Sequence, residues 1–425
     1  MNDKIVLRRK CSLSSIVFII YCFYYISGYS SLSHNYIIFG LFLIWNFIAY
    51  LEDNKAYNYS IGNKCFLWLL LFVLYYFFTS SIVADLIYVL KYVTVFLFIY
   101  STIIQYKYYY YRNNYSEIYF IVKMIIVSFL IFSINAIRFY FLNPSAARVL
   151  ASDFYAFDNI AIGGGYSIAF GASIFSVYLF EILIKKSIIK KKYNHYILIL
   201  FIIFELLLIK TESTTTLIAN LFGLLMCVII KFYSSGAKNI NKIIFILILI
   251  LIFLVIALNI NVIGSYIVDI TYNGTENVLI RRFNRIGLKL KYMGVQYGYT
   301  NYVDERFGTI STSWNTFLKN PIFGVGYKCG NIFSLLESYG VGTHSELVDV
   351  LAQYGLVGFV FWIMFIINSL KCQNNYLKCN GWKFTLIIMF IFNPFRSFHG
   401  FIVIFFLIPM IDGLIEYMVR RFGAH

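Results

Sequence analysis

Apolar runs of roughly 17 to 25 residues, separated by short polar or charged breaks, fill most of this chain, and that is the length of a helix spanning a hydrocarbon core. They predict spans at about 14–31, 35–51, 65–83, 86–104, 116–142, 163–184, 195–209, 213–230, 243–263, 346–370, 383–394 and 398–418. The seventh and eleventh are the shortest. Within lipid the backbone must satisfy its own polar groups, which leaves helices or a closed barrel, and a barrel would need short alternating strands instead. The expectation is therefore an all-α polytopic membrane protein of about twelve transmembrane helices forming a single membrane domain over 1–425. A smaller loop at 143–162 and a large one at 264–345 leave the bundle on one side.

Composition agrees with this pattern. Of 425 residues, 60% are hydrophobic and 13% charged, against about a quarter charged in soluble domains. The net charge of +16 raises the question of nucleic acid, but its placement answers it. Lys4, Arg8, Arg9, Lys10, Lys64, Lys107, Arg112, the Lys185 to Lys192 cluster, Lys371, Arg420 and Arg421 fall in alternate interspan segments, and the short loops opposite are nearly free of basic residues. The positive-inside rule then puts both termini in the cytoplasm, and most of the charge is topogenic. The basic start followed by an apolar run reads as an uncleaved first span. The tyrosine run Tyr106 to Tyr111 and the run Tyr75 to Phe78 read as interfacial aromatic belts. Seven cysteines without a framework or zinc spacing read as unpaired structural thiols.

Long loops escape the positive-inside rule, so the cations of 264–345 need another reason. In Val278 to Tyr292, Leu279, Phe283, Ile286 and Leu290 recur at helical spacing, with Arg281, Arg285 and Lys289 on another face. This amphipathic helix either lies on the outer leaflet or, with Arg282, offers guanidinium groups to a phosphate or pyrophosphate. Arg306 lies further along the same loop. Next come Asn320-Pro321-Ile322-Phe323-Gly324-Val325-Gly326 and Thr343-His344-Ser345-Glu346-Leu347, running into the tenth span through Tyr354-Gly355-Leu356-Val357-Gly358. Thr343 and Glu346 have capping-box spacing, which would put His344 in the first helical turn, suited to act as a general base beside a bound anion. Glu346 reads more readily as a cap than as an acid. Arg148, ahead of Gly163-Gly164-Gly165, marks a second anion-binding candidate in the smaller loop. Arg138, and Arg396 with His399, sit at outer ends of spans. No P-loop, GxSxG, HExxH or Asp-x-Asp motif is present.

The Pro-x-x-Gly-x-Gly segment followed by a His at the start of a span resembles the signature of the bacterial O-antigen ligase and polymerase superfamily. The many spans and the single large loop before that His fit as well. The resemblance implies a GT-C-like glycosyltransferase bundle in the inner membrane, with the large loop in the periplasm and metal-independent transfer needing no cofactor. The implied donor and acceptor are undecaprenyl-pyrophosphate-linked glycans, with membrane lipid around them and a polysaccharide chain-length regulator as possible partner; no nucleic acid is implied. His344 would assist the acceptor hydroxyl, while Arg281, Arg282 and Arg285, with Arg148, Arg306, Arg138 and Arg396, would meet the pyrophosphate. Ligases of the superfamily commonly carry Ser-Arg at the outer junction of the seventh and eighth spans. Here that junction reads Lys210-Thr211-Glu212-Ser213-Thr214, with Thr214 in place of Arg and Lys210 four residues earlier, on the same face if the segment is helical. The leading expectation is an O-antigen polymerase of the Wzy type. The alternatives are O-antigen ligase, passing finished polymer to lipid A core, and a polyprenyl-linked glycan transporter or flippase. The last would place several ionisable residues mid-span, where the chain offers chiefly Lys91, Lys123 and Glu205.

Overall fold

In a computed structural model of the chain, residues 11–27, 32–62, 64–80, 86–143, 146, 165–185, 191–234, 259–271, 278–291, 303–326, 340–342, 344–392 and 398–422 are described. Among them the secondary structure is helical, apart from an isolated bridge at Val341. The helices are α1 (Leu13–Ser27), α2 (Leu32–Glu52), α3 (Asn54–Ile61), α4 (Lys64–Ser80), α5 (Leu86–Arg112), α6 (Tyr115–Leu142), α7 (Gly165–Ile184) and α8 (Lys191–Thr211). They continue with α9 (Thr214–Ser234), α10 (Ile260–Thr271), α11 (Val278–Lys291), α12 (Val303–Lys319), α13 (Glu346–Lys371), α14 (Gly381–Phe392), α15 (Phe398–Ile402) and α16 (Ile408–Phe422). A π-helical turn, Val403–Leu407, joins the last two into one rod.

Six described helices are long and apolar enough to cross a membrane: Tyr115–Leu142, Tyr166–Ile184, Asn194–Thr211, Thr214–Ser234, Glu346–Lys371 and His399–Arg421. A seventh is possible if the bent pair Asn54–Ile61 and Lys64–Thr79 counts as one span. α1, α14 and the Ile37–Glu52 stretch of α2 are apolar but shorter. Most of the ninth expected span lies outside the described residues. α7 and the α15–α16 rod are the most enclosed, whereas α8 and α9 turn most of their apolar side chains outward. Large apolar groups such as Phe47, Phe78 and Leu142 are exposed on the bundle's flank, a distribution suited to lipid and not to water.

Side-chain contacts give the bundle two ends. At one end, the start of α1, the end of α2, the end of α5 and the start of α6 meet. There Arg112 lies 3.3 Å from Glu52 and 3.6 Å from Glu117, and the Ser15 hydroxyl donates to Glu117. The same end holds the close of α7, where buried Glu181 accepts from Lys185 at 3.0 Å and from the backbone N–H of Gly381 at 2.8 Å. A buried carboxylate is tolerable only when so paired. The end of α13 joins them, since Cys372 Sγ lies 3.4 Å from Cys65 Sγ at the start of α4. At the other end are the close of α1 and the starts of α7 and α15, tied by His399. Its Nε2 lies 2.8 Å from the Ile26 carbonyl and its Nδ1 2.9 Å from the Ser167 hydroxyl. Because a carbonyl can only accept, the Nε2-protonated neutral tautomer fits both bonds. This end also holds the close of α4, α6 and α8 and the head of α13.

The tyrosine belt expected at 106–111 is corrected by this packing. Tyr106, Tyr108 and Tyr109 are fully buried and only Tyr111 of that run is clearly exposed. Trp45 donates its indole N–H to the Tyr109 hydroxyl at 3.0 Å, and Tyr106 accepts from the Asn374 backbone at 2.9 Å. Aromatic side chains with a satisfied polar tip fill a core as readily as an interface. Mid-bundle, Asn220 links α7, α8 and α9 by donating to Ser176 at 2.8 Å and to Glu205 at 2.9 Å. Glu205 is thus spent on helix packing.

Candidate active site

The centre of interest is a break in α13. Gly355 has φ 62 and ψ −168 within an otherwise helical run, a combination essentially restricted to glycine. The Pro-x-x-Gly-x-Gly segment is spliced into this break. Leu356 N–H donates to the Pro321 carbonyl at 2.8 Å and Val357 N–H to that of Ile322 at 3.2 Å, while the Ala352 carbonyl accepts from Val325 N–H at 3.1 Å. The segment therefore supplies partners to both halves of the helix, replacing hydrogen bonds that the break removes. Gly324 and Gly326 take φ values of 68 and 60. A side chain on Gly324 would run into the backbone at Gln353 and Gly355, and one on Gly326 into the Thr79 carbonyl. Tyr75 clamps the junction, its hydroxyl 2.7 Å from the Tyr354 carbonyl and 2.9 Å from that of Phe323. The reading of Tyr75 to Phe78 as an interfacial belt is corrected accordingly: Tyr76 is buried and only Phe78 is wholly outward.

The head of α13 is built differently from the expected capping box. Thr343 lies outside the described residues, and the N-cap is Ser345, whose hydroxyl accepts from Val348 N–H at 3.3 Å. The reciprocal acid is Asp349, which accepts from Ser345 N–H at 3.0 Å; Glu346 is the first helical residue and does not close the box. His344 therefore sits one residue before the cap, half-buried, and not in the first turn. Asp349 also accepts from the Ser313 hydroxyl of α12 at 2.7 Å, and Ser313 in turn accepts from Gly342 N–H at 2.8 Å. Thr316, one turn further along α12, accepts from Gly340 N–H at 2.7 Å. Thr309, Ser313 and Thr316 share one face of α12 at i, i+4 and i+7, and all three are buried. A side chain on Gly342 would meet the Thr309 backbone. The turn that carries His344 is thus fastened to α12 before and to α13 after. Two helix-start amides are already taken by Ser345 and Asp349, so a phosphate here would depend on cations from elsewhere.

Lys210 and Arg138 lie at the same end of the bundle as His344. Lys210 closes α8, with its ammonium 3.6 Å from the centre of the Phe141 ring at the end of α6, a cation–π contact. It does not share a helical face with Thr214. Glu212, at φ 51, turns the chain between α8 and α9, and Thr214 begins α9. Arg138 is exposed near the end of α6. α11 is helical as expected, with Arg281 exposed; the side chains of Arg282, Arg285 and Lys289, like that of Arg306 in α12, are outside the described residues, as are Arg148 and Arg396. The face of α11 set on α10 is not the expected apolar stripe. Buried Gly287 lies against Gly264 and Ile267, and Asn284 donates to Thr271 at 2.9 Å. That face is roughly 100° round the helix from the Leu279–Phe283–Ile286–Leu290 stripe, and Phe283 stays exposed. Among the described residues no three His, Cys, Asp or Glu side chains converge to hold a metal ion.

The fold and this assembly define an all-α polytopic membrane protein with a polar, glycine-dependent turn at the head of a broken span. Residues 197–363, from α8 through the break in α13, match the family described as O-antigen ligase. The match covers under half of the chain and shows a likeness of that segment to the family. No curated protein matches the chain.

Proposed function

We propose that the chain is an O-antigen polymerase that works at the periplasmic face of the inner membrane. It extends a polyprenyl-linked glycan by joining its reducing end to a new repeat unit. In this reading the acceptor sugar hydroxyl attacks the anomeric carbon of the donor glycan, and undecaprenyl pyrophosphate departs with the bonding electrons. His344 orients or deprotonates the hydroxyl. Arg281, Arg282 and Arg285 offset the charge of the leaving pyrophosphate, helped by Lys210, Arg138, Arg148, Arg306 and Arg396, and no metal or cofactor takes part. What carries the reading is the fastening of His344 by the Ser345–Asp349–Ser313 network inside the family-matched segment. Catalysis needs a positioned base, and two flanking helices fix the backbone turn on which His344 stands.

Polymerase is preferred to ligase because Thr214 stands where ligases carry Arg, and the turn at Glu212 denies Lys210 the same helical position. Ligase is the second reading, favoured by the description of the matched family. A transporter is disfavoured by the role of Glu205 in interhelical bonding. A gene deletion separates the readings. Loss of a polymerase leaves single repeat units on the lipid A core, loss of a ligase leaves polymer on undecaprenyl pyrophosphate, and loss of a flippase leaves the lipid-linked repeat unpolymerised on the inner leaflet.

A further inference from the structure

At the bundle end opposite His344, three lysines converge. Lys64 from the start of α4, Lys107 from the last turns of α5 and Lys371 from the end of α13 line a cavity of about 390 Å³, together with Tyr59, Asn368 and Cys372. No carboxylate lines it. Several cations at this end are paired instead, Arg112 with Glu52 and Glu117, Lys185 with Glu181 and Arg420 with Glu416. Among the described residues none of the three cavity lysines has an ion pair with a carboxylate. Topology explains why lysines occur at this end, but not why three from helices distant in sequence share one recess. Lys64 and Lys371 are exposed and Lys107 is half-buried, so an anion entering the recess would meet cations from three helices at once. The donors suit an oxyanion: three ammonium groups and the first-turn N–H groups of α4, which begins at Lys64.

We propose that this cavity binds a phosphate group, carried either by an anionic lipid headgroup or by free phosphate. Its place at the rim of the bundle matches the basic recesses between helices that receive lipid headgroups. The site is separate from the proposed pyrophosphate site, which lies at the other end, and it does not depend on the polymerase reading. An anion there would bridge α4, α5 and α13, coupling the far end of the broken helix to the membrane's charged lipids.

Cys372 gives a reporter inside the cavity. Purified wild-type protein in a neutral detergent is treated with N-ethylmaleimide, and labelling of Cys372 is followed by mass spectrometry. Phosphatidylglycerol, phosphatidylcholine or inorganic phosphate is added in separate arms. We expect roughly fivefold slower labelling with ligand at about four times its Kd. Slowing by phosphatidylglycerol alone identifies a lipid headgroup, and slowing by inorganic phosphate identifies free phosphate. The Lys64→Gln/Lys107→Gln/Lys371→Gln variant is expected to lose the slowing. Should it fail to fold, the single Lys371→Gln variant at an exposed position carries the test with a weaker loss. Labelling unaffected by either phosphate source, or slowed equally in wild type and glutamine variant, overturns the proposal.

Discussion

Replacing Gly355 by alanine attacks the feature on which the head of α13 depends. At φ 62 and ψ −168 a side chain costs about 1–3 kcal/mol in backbone strain, and the added Cβ would also collide with the Ile322 carbonyl. Relief comes by straightening the helix. Leu356 and Val357 would then recover helical acceptors, but the Pro321 and Ile322 carbonyls and the Val325 N–H would lose theirs, each worth about 0.5–1.5 kcal/mol net. The Tyr75 clamp would go with them. The expected loss is roughly 2–4 kcal/mol, since the strain and the lost bonds are alternatives in part. The control is Gly40→Ala, where a new Cβ meets nothing within 4 Å and helix propensity predicts a gain of about 1 kcal/mol or less. Thermal unfolding of the two variants in one detergent, followed by size-exclusion fluorescence, compares them directly. Gly355→Ala unfolding no earlier than Gly40→Ala would refute the account of the break.

Other outcomes follow from the same contacts. Asp349→Ala should destabilise the protein by about 1–3 kcal/mol, because it strips charge-assisted bonds from Ser313 and Ser345, and Ser313→Ala, which also orphans Gly342 N–H, should cost less in the double variant than alone; fully additive losses in melting experiments would show the two do not act together. Mild oxidation should join Cys65 to Cys372, whose sulfurs lie 3.4 Å apart, linking the chain between α4 and the end of α13. Failure to recover that cross-linked peptide by mass spectrometry would contradict the pairing of those helices. The Cys65 thiol bonded to it, with the Lys107 ammonium nearby, holds the Cys372 thiol below its ordinary range. Its thiolate is thus favoured over that of an ordinary cysteine, and N-ethylmaleimide labelling should weaken only at a lower pH than it does for a free thiol. Labelling that tracks an ordinary thiol titration would refute this.

Long apolar runs made most helices legible in the sequence. The expected 116–142 and 346–370 match Tyr115–Leu142 and Glu346–Lys371 closely, because twenty or more apolar residues admit few alternatives. What escaped detection depends on tertiary contacts or on polarity. α3 is short and polar, started by the Asp53 side chain accepting from Ala56 N–H, and α12 carries no strong apolar run. The Tyr354-Gly355-Leu356 stretch read as part of an unbroken span, since the bonds that favour the break come from a segment far earlier in the chain, Pro321 to Val325. At the candidate site His344 and the glycine motif were legible from their order, but the capping acid was taken as Glu346 and is Asp349. The spacing of Thr309, Ser313 and Thr316 on one face of α12 was a signal available in the sequence.

The proposed polymerisation at His344 is tested most directly with purified protein and undecaprenyl-pyrophosphate-linked repeat units in detergent, with the lipid-linked products resolved by gel. The account predicts a ladder of polymer from the wild type and unextended repeat units from a His344→Ala variant of unchanged melting temperature. No ladder from active wild-type preparations, or an equal ladder from the variant, would contradict it.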